Sequence, residues 1–317
     1  GNILNNLQKF DEAEKILKKV ILMKPEFVDG YNSLGDVLTN LQKFDEAEKV
    51  LKHAMMISSI NADTYFNLGV LYSKKDLSKI AINFFLKALN FDPGNANIYY
   101  NLGINFTQVG LLKKATENFE KCLELDPSHQ NALHLYNSVL GRKTTTAPND
   151  YVIELFNYYA KNFEKSLVNK LDYKVPSEIK NLLLGKSLEC LGSIVDLGCG
   201  TGLVGSELKN YCNYMEGIDL SNYMIHEAKK KKIYDRLIQT EIINFLKKYT
   251  LNFDYFIAAD VFIYVGDLNQ VFRLIKERNK KSGNLVFSTE HTTGDSYILK
   301  RSGRYAHSKN YVKYLCN

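Results

Sequence analysis

Seven consecutive residues, Asp196-Leu-Gly-Cys-Gly-Thr-Gly202, have the composition needed to hold a small charged ligand against bare backbone. Gly198, Gly200 and Gly202 leave main-chain amides uncovered, and a helix starting behind them would add its positive end. Cys199 and Thr201 alternate with the glycines, and Asp196 heads the loop. Further acids follow at Asp219, Glu241 and Asp260, in steps of 23, 22 and 19 residues. Each step is about one strand-helix unit, so the four acids would stand at successive strand ends and line one crevice. Each of them also suits a helix cap.

The glycines alone permit two kinds of ligand. Gly200-Thr-Gly-Leu-Val-Gly205 fits G-x-G-x-x-G, a weak dinucleotide signal by itself. A pyrophosphate requires a loop free of negative charge, and Asp196 breaks that condition. S-adenosylmethionine (SAM) presents an ammonium, a sulfonium and a carboxylate. An acid at the loop favours its cationic groups while nearby amides serve its carboxylate. Asp219 would take ribose hydroxyls in either case.

A sulfonium is an excellent leaving group, so methyl transfer asks mainly for in-line placement. A base is required only where the acceptor must lose a proton. His291 and His307 are the candidates for that role, although a lone histidine is more often structural. Arg304 could hold an anionic group on the acceptor, or form a surface ion pair. Tyr158, Tyr159 and Phe163 suit a lid, and Tyr264 could face the acceptor; core packing explains all four equally.

These residues need a scaffold. Apolar runs at 193–197, 214–219, 237–240, 253–259 and 284–288 alternate with helical stretches, which predicts an α/β doubly wound parallel sheet. An entry helix is expected over 151–171, and residues 142–150, polar and carrying Pro148, read as a linker. Upstream the chain repeats. Gly1, Gly35, Gly69 and Gly103 recur every 34 residues, as do Ala13, Ala47, Ala81 and Ala115, and Leu17, Leu51, Phe85 and Phe119. Pro25, Pro93 and Pro127 keep the same period, with Ser59 in the remaining unit. Paired amphipathic helices satisfy this pattern, with small residues where helices approach and Pro where the second helix ends.

The 317-residue chain is 45% hydrophobic and 24% charged, an ordinary globular profile with no apolar run long enough for a membrane span. Its net charge of +6 is uneven: 15 basic against 16 acidic residues in 1–141, and 26 against 19 in the remainder. Lys229-Lys-Lys-Lys232 and Lys280-Lys281 dominate the excess and read as solvated helix ends, so no nucleic-acid partner is expected. The five cysteines are scattered without C-x-x-C pairs, which argues for reduced thiols, a cytoplasmic setting and no structural metal.

The repeats resemble the tetratricopeptide (TPR) repeat, with Tyr31, Tyr65 and Tyr99 where that family often has Trp. A truncated first unit and three full ones lead to a capping helix over 131–140. Asn67 and Asn101 resemble the asparagine ladder with which some TPR proteins hold a peptide backbone, which implies a protein or peptide partner in the repeat groove. Residues 193–290 resemble the class I SAM-dependent methyltransferases. Asp196 to Gly202 matches their first motif and Gly217-Ile-Asp-Leu-Ser221 their second. Met224 stands where the family packs the adenine. Glu241-Ile242 matches the acid and backbone that meet it, and 258–268 matches the fourth motif. The resemblance thus assigns the cofactor to Asp196, Gly198–Gly202, Asp219, Leu220, Met224, Glu241, Ile242 and Asp260.

The whole arrangement is similar to bacterial methyltransferases with N-terminal TPR repeats, whose late motif resembles Ser302-Gly-Arg-Tyr-Ala-His-Ser308. Absence of N-P-P-Y disfavours amino-group methylation of adenine or glutamine. Domains are therefore expected at 1–141 (repeats and cap), 142–150 (linker) and 151–317 (methyltransferase, core 190–317). The resemblance implies a piece truncated at both ends, with the last strands of the sheet missing. The expected function is methyl transfer from SAM to a small-molecule or protein acceptor. The alternatives are a non-catalytic adaptor and, more distantly, a nicotinamide-dependent oxidoreductase.

Overall fold

A computed structural model describes residues 7–159, 173–185 and 190–316. The chain forms two compact units, Gly1–Leu140 and Gly141–Asn317. Among the described residues, no helix is long and apolar enough to cross a membrane.

The first unit is built of antiparallel helix pairs: α1 (Leu7–Met23), α2 (Val28–Asn40), α3 (Phe44–Ile57), α4 (Ala62–Lys74), α5 (Ser78–Phe91), α6 (Ala96–Gln108) and α7 (Leu112–Leu125), followed by α8 (Gln130–Leu140). The 34-residue period has a steric cause. A Cβ on Gly35 would lie 2.3 Å from the Leu51 side chain, and on Gly69 or Gly103 it would lie 2.5 Å from the ring of Phe85 or Phe119. The glycine of each first helix therefore seats the large residue of the second. Leu51, Phe85 and Phe119, with Ala47, Ala81 and Ala115, form one continuous buried core, as stacked repeats require. Tyr65 and Tyr99 donate their hydroxyls to the carbonyls of Ser59 (3.0 Å) and Pro93 (3.2 Å), tying each unit to the turn before it.

The second unit contains a five-stranded parallel sheet in the order β3-β2-β1-β4-β5, with β1 (Ser193–Leu197), β2 (Tyr214–Asp219), β3 (Arg236–Gln239), β4 (Tyr255–Ala258) and β5 (Asn284–Phe287). All five strands fall within two residues of the predicted runs. Alternate residues serve opposite faces. Val195, Leu197, Ile218 and Phe256 join one core, while Ile194, Met215 and Ile257 join another. The chain leaves β3 at one edge and returns beside β1 as β4. The β1/β4 boundary is thus the switch point at whose carboxyl end such sheets open a crevice.

One expectation is corrected. Residues 142–150 are not a free linker. Ala147 donates to the Tyr264 carbonyl (3.0 Å), and the Gly266 and Asp267 amides donate to the Thr145 carbonyl (2.9 and 2.8 Å). Helix α9 (Asn149–Tyr159) already begins there, with Pro148 tolerated just ahead of its first turn, where it withdraws no helical hydrogen bond. The rest of the expected entry helix lies outside the described residues. Beyond β5 the chain does not extend the main sheet but forms a separate one, β6-β8-β7, from Glu290–Thr292, Tyr297–Leu299 and Tyr305–Ser308.

The ring of Phe85 fills the space that Gly69 leaves open. Phe85→Ala is expected to cost about 3–5 kcal/mol of repeat-unit stability; urea unfolding followed by far-UV circular dichroism measures it, and a loss below about 1 kcal/mol would contradict the packing account.

Candidate functional site

A cavity of about 290 Å³ opens at the carboxyl ends of β1 and β4. Gly198, Cys199, Gly200 and Thr201 form one wall of it. All three loop glycines take positive φ: 75° at Gly198, 53° at Gly200 and 89° at Gly202. Space enforces the choice as well, since a Cβ on Gly198 would lie 2.4 Å from Val261. The loop then enters helix α11 (Leu203–Leu208; α10 is Val175–Leu184).

Tyr234 supports this loop from below, a role that sequence reasoning missed. Its hydroxyl donates to Asp196 Oδ2 at 2.7 Å. Its ring packs where a Cβ on Gly205 or Gly217 would lie within 3.0 Å of it. Tyr234 belongs to no motif or period in the sequence, so only the contact reveals it. Asp196 is consequently 1% exposed and does not line the cavity. Burial pushes its carboxyl up to about 7, with Tyr234 lowering it and Asp219 raising it.

The other three acids do reach the cavity, and each is also tied to the fold. Asp219, at the end of β2, accepts from the Gly200 amide (2.9 Å) and the Ser221 amide (2.8 Å). Burial pushes its carboxyl up to about 6 against those amides. Glu241 caps helix α13 (Ile242–Lys248; α12 is Asn222–Lys231), accepting from the Ile243 and Asn244 amides at 2.8 Å each. Asp260, just past β4, holds φ of 55°; its Oδ1 accepts from Ser288 Oγ at 2.6 Å. A non-glycine residue in that conformation is uncommon, and Asp adopts it more readily than most. The cap reading and the ligand reading coexist, because each carboxylate oxygen accepts more than one hydrogen bond.

Leu220, Ile242, Tyr264 and Arg304 also line the cavity. Phe156 meets the Tyr264 ring edge-on at 5.3 Å. Arg304 is 47% exposed and lies 3.8 Å from Glu290, whose other oxygen accepts from Lys300 at 2.7 Å. Burial would lower the guanidinium's pKa, but Tyr264 and Glu290 outweigh it. Tyr173, unnoticed in the sequence, lines the wall; burial and the Asp260 charge push its hydroxyl well up. Thr146 and Asn149 line it too, so the expected linker supplies part of the site.

Several expected residues lie elsewhere. Met224 is fully buried and, with Gly202, is absent from the cavity lining. His291 sits exposed on β6. His307 is 1% exposed on β8, with Nδ1 bonded to Thr289 Oγ1 (2.6 Å) and Nε2 to the Gly266 carbonyl (2.9 Å). Burial lowers its pKa, and with both nitrogens engaged it braces the second sheet. Neither histidine lines the cavity, so neither is placed to act as base. The Tyr158 and Tyr159 side chains and Phe163 lie outside the described residues. In the repeats, Asn67 donates to the Asn32 carbonyl (3.3 Å) and Asn101 to the Asn97 carbonyl (2.8 Å). Their amide groups thus serve the repeat's own backbone.

Comparison with known proteins agrees with this division. A family described as a methyltransferase domain matches residues 191–311. The tetratricopeptide repeat matches residues 1–27, 28–61, 62–95 and 96–129. The first unit is thus matched by TPR repeats and the second by a methyltransferase domain. Among curated proteins it is similar to a ubiquinone biosynthesis O-methyltransferase of Coxiella burnetii, 27% identical over 108 residues, covering 33% of this chain and 46% of that protein. The chain thus spans about half the length of the curated relatives it matches. Solved structures that resemble parts of it include a MamA double mutant, 26% identical with a TM-score of 0.36, covering 39% of this chain and 70% of that one. Another is an S-adenosylmethionine-dependent methyltransferase from Clostridium acetobutylicum, 22% identical with a TM-score of 0.35, covering 45% and 67%.

The buried acid beneath the loop makes stability depend on pH. Asp196 has a folded pKa above its unfolded value, so its contribution is full below about pH 4 and is lost as pH rises through about 7. Asp196→Asn is expected to stabilise the second unit at about pH 8 by on the order of 1–3 kcal/mol, and much less at about pH 5. Thermal unfolding at the two pH values checks this; an equal effect at both would contradict it.

Proposed function

We propose that the second unit binds SAM and transfers its methyl group, with the repeats serving as a protein-binding scaffold in a cytoplasmic protein. Thr201 carries the reading. Its Oγ1 is buried on the cavity wall and meets no hydrogen-bond partner, the kind of orphan that a bound ligand satisfies. A hydroxyl there can donate to or accept from a polar group of the ligand. Asp219 would hold the ribose hydroxyls, and Glu241 with Ile242 the adenine. Bound there, the sulfonium would supply an activated methyl group, and the walls would exclude water and orient the acceptor.

The same geometry weighs against a dinucleotide. The Gly200 amide, which would meet a pyrophosphate, already donates to Asp219, and three carboxylates face the space. Phosphates there would meet repulsion.

Asp219→Ala is expected to weaken SAM binding at least about tenfold, and Thr201→Val by several-fold (about 1 kcal/mol). Isothermal titration of SAM measures both, and unchanged affinity in Asp219→Ala would overturn the site. Because the ionised carboxylate is the stronger acceptor for ribose hydroxyls, wild-type affinity should rise with pH through about 6, as Asp219 loses its proton. Asp219→Asn should flatten that rise. Transfer from labelled SAM into a cell extract separates enzyme from adaptor: binding without turnover would favour the non-catalytic reading.

A further inference from the structure

The acceptor's chemistry can be read from what the cavity offers it, granting the SAM reading above. Methylating a phenol, alcohol or amine requires removal of a proton at or before transfer. The chain has six histidines, all within the described residues. Three (His53, His129 and His134) belong to the repeat unit, His226 and His291 are exposed, and His307 has both nitrogens engaged. None lines the cavity. Among the described residues of the lining, the carboxylates are Asp219 and Glu241, each accepting from two backbone amides, and Asp260, accepting from Ser288. They face the side where a cationic cofactor would need them.

The lining also offers a cation in the company of apolar side chains. Arg304 is the cationic side chain among the described residues of the lining, and it stands with Val152, Phe156, Ile263 and Tyr264. Its ion pair with Glu290 is loose at 3.8 Å, since Glu290 is closer to Lys300. Tyr264 is a further hydrogen-bond partner of the guanidinium, whose five N–H donors leave others for a planar two-oxygen anion.

We propose that the acceptor is a small carboxylic acid with a hydrocarbon body, seated by Arg304 and methylated on its own carboxylate oxygen. Such an oxygen is already ionised at neutral pH, so no base is required. The step balances without proton transfer. A carboxylate oxygen lone pair forms the new O–C bond to the methyl carbon, and the C–S bond breaks. Its electron pair stays on sulfur, the sulfonium becoming a neutral thioether and the acid a neutral methyl ester. The ester no longer carries the charge that Arg304 holds, so the same residue that seats the substrate does not retain the product.

The test uses the full chain with tritiated SAM and a fixed panel: benzoate, phenylacetate and hexanoate against catechol and benzylamine. Label is expected in base-labile methyl esters of the acids and not in the phenol or the amine. Arg304→Gln should raise KM for the acids about tenfold or more with little change in kcat or in SAM affinity, and Arg304→Lys should recover part of the loss. Labelling of catechol or benzylamine in place of the acids would overturn the proposal, as would an unchanged KM in Arg304→Gln. SAM affinity, titrated in parallel, separates the two levels. No SAM binding removes the reading beneath the proposal, whereas SAM binding with every acid untouched removes the proposal alone.

Discussion

The site depends on the contact between Tyr234 and the loop above it. A loop with three glycines in five residues loses much chain entropy when ordered, and something must hold it. Tyr234 does so from beneath, its ring lying against Gly205 and Gly217 and its hydroxyl on Asp196. Asp219 completes the restraint from the side by taking the Gly200 amide. The acid at the head of the motif therefore braces the backbone and does not line the cavity. Its negative charge is expensive at that depth, which explains why burial drives its carboxyl up to about 7.

Around that loop the sheet order does the remaining positioning. Because β4 returns beside β1, the fourth-strand acid Asp260 faces the same space as the glycine loop, although 60 or so residues separate them in sequence. The left-handed turn at Asp260 and its bond to Ser288 hold the carboxylate at the rim. A third side comes from the segment at 144–150, sewn to the backbone at 264–267. A stretch that looks like a connector thereby becomes a wall.

Polar residues in this molecule commonly serve two ends at once. Glu241 and Asp219 cap local backbone and still border the cavity. In the repeats, by contrast, Asn67 and Asn101 give their amide groups to neighbouring carbonyls within the stack. Order in the repeats arises from one steric device used three times, a glycine beneath a large side chain 16 residues later. Each of these two asparagines spends one amide hydrogen on the stack and keeps its Oδ1 and second N–H for another partner.

Periodicity is what made much of the molecule legible. The 34-residue pattern and the alternating apolar runs come from contacts that recur at fixed spacing, so the repeats, the five parallel strands and the glycine loop could all be located from residue order. The strand-end positions of Asp219, Glu241 and Asp260 followed, because a parallel sheet brings its carboxyl ends to one rim. Contacts between distant residues with no repeating signature could not be located in that way. Tyr234 beneath the loop, Tyr173 on the wall and the bracing of His307 by Thr289 and Gly266 belong to that class. So does the displacement of Asp196 and Met224 from the ligand space into the interior. A side chain's type states which bonds it can make; which partner it meets depends on how the chain folds back, and for these residues that was settled by packing.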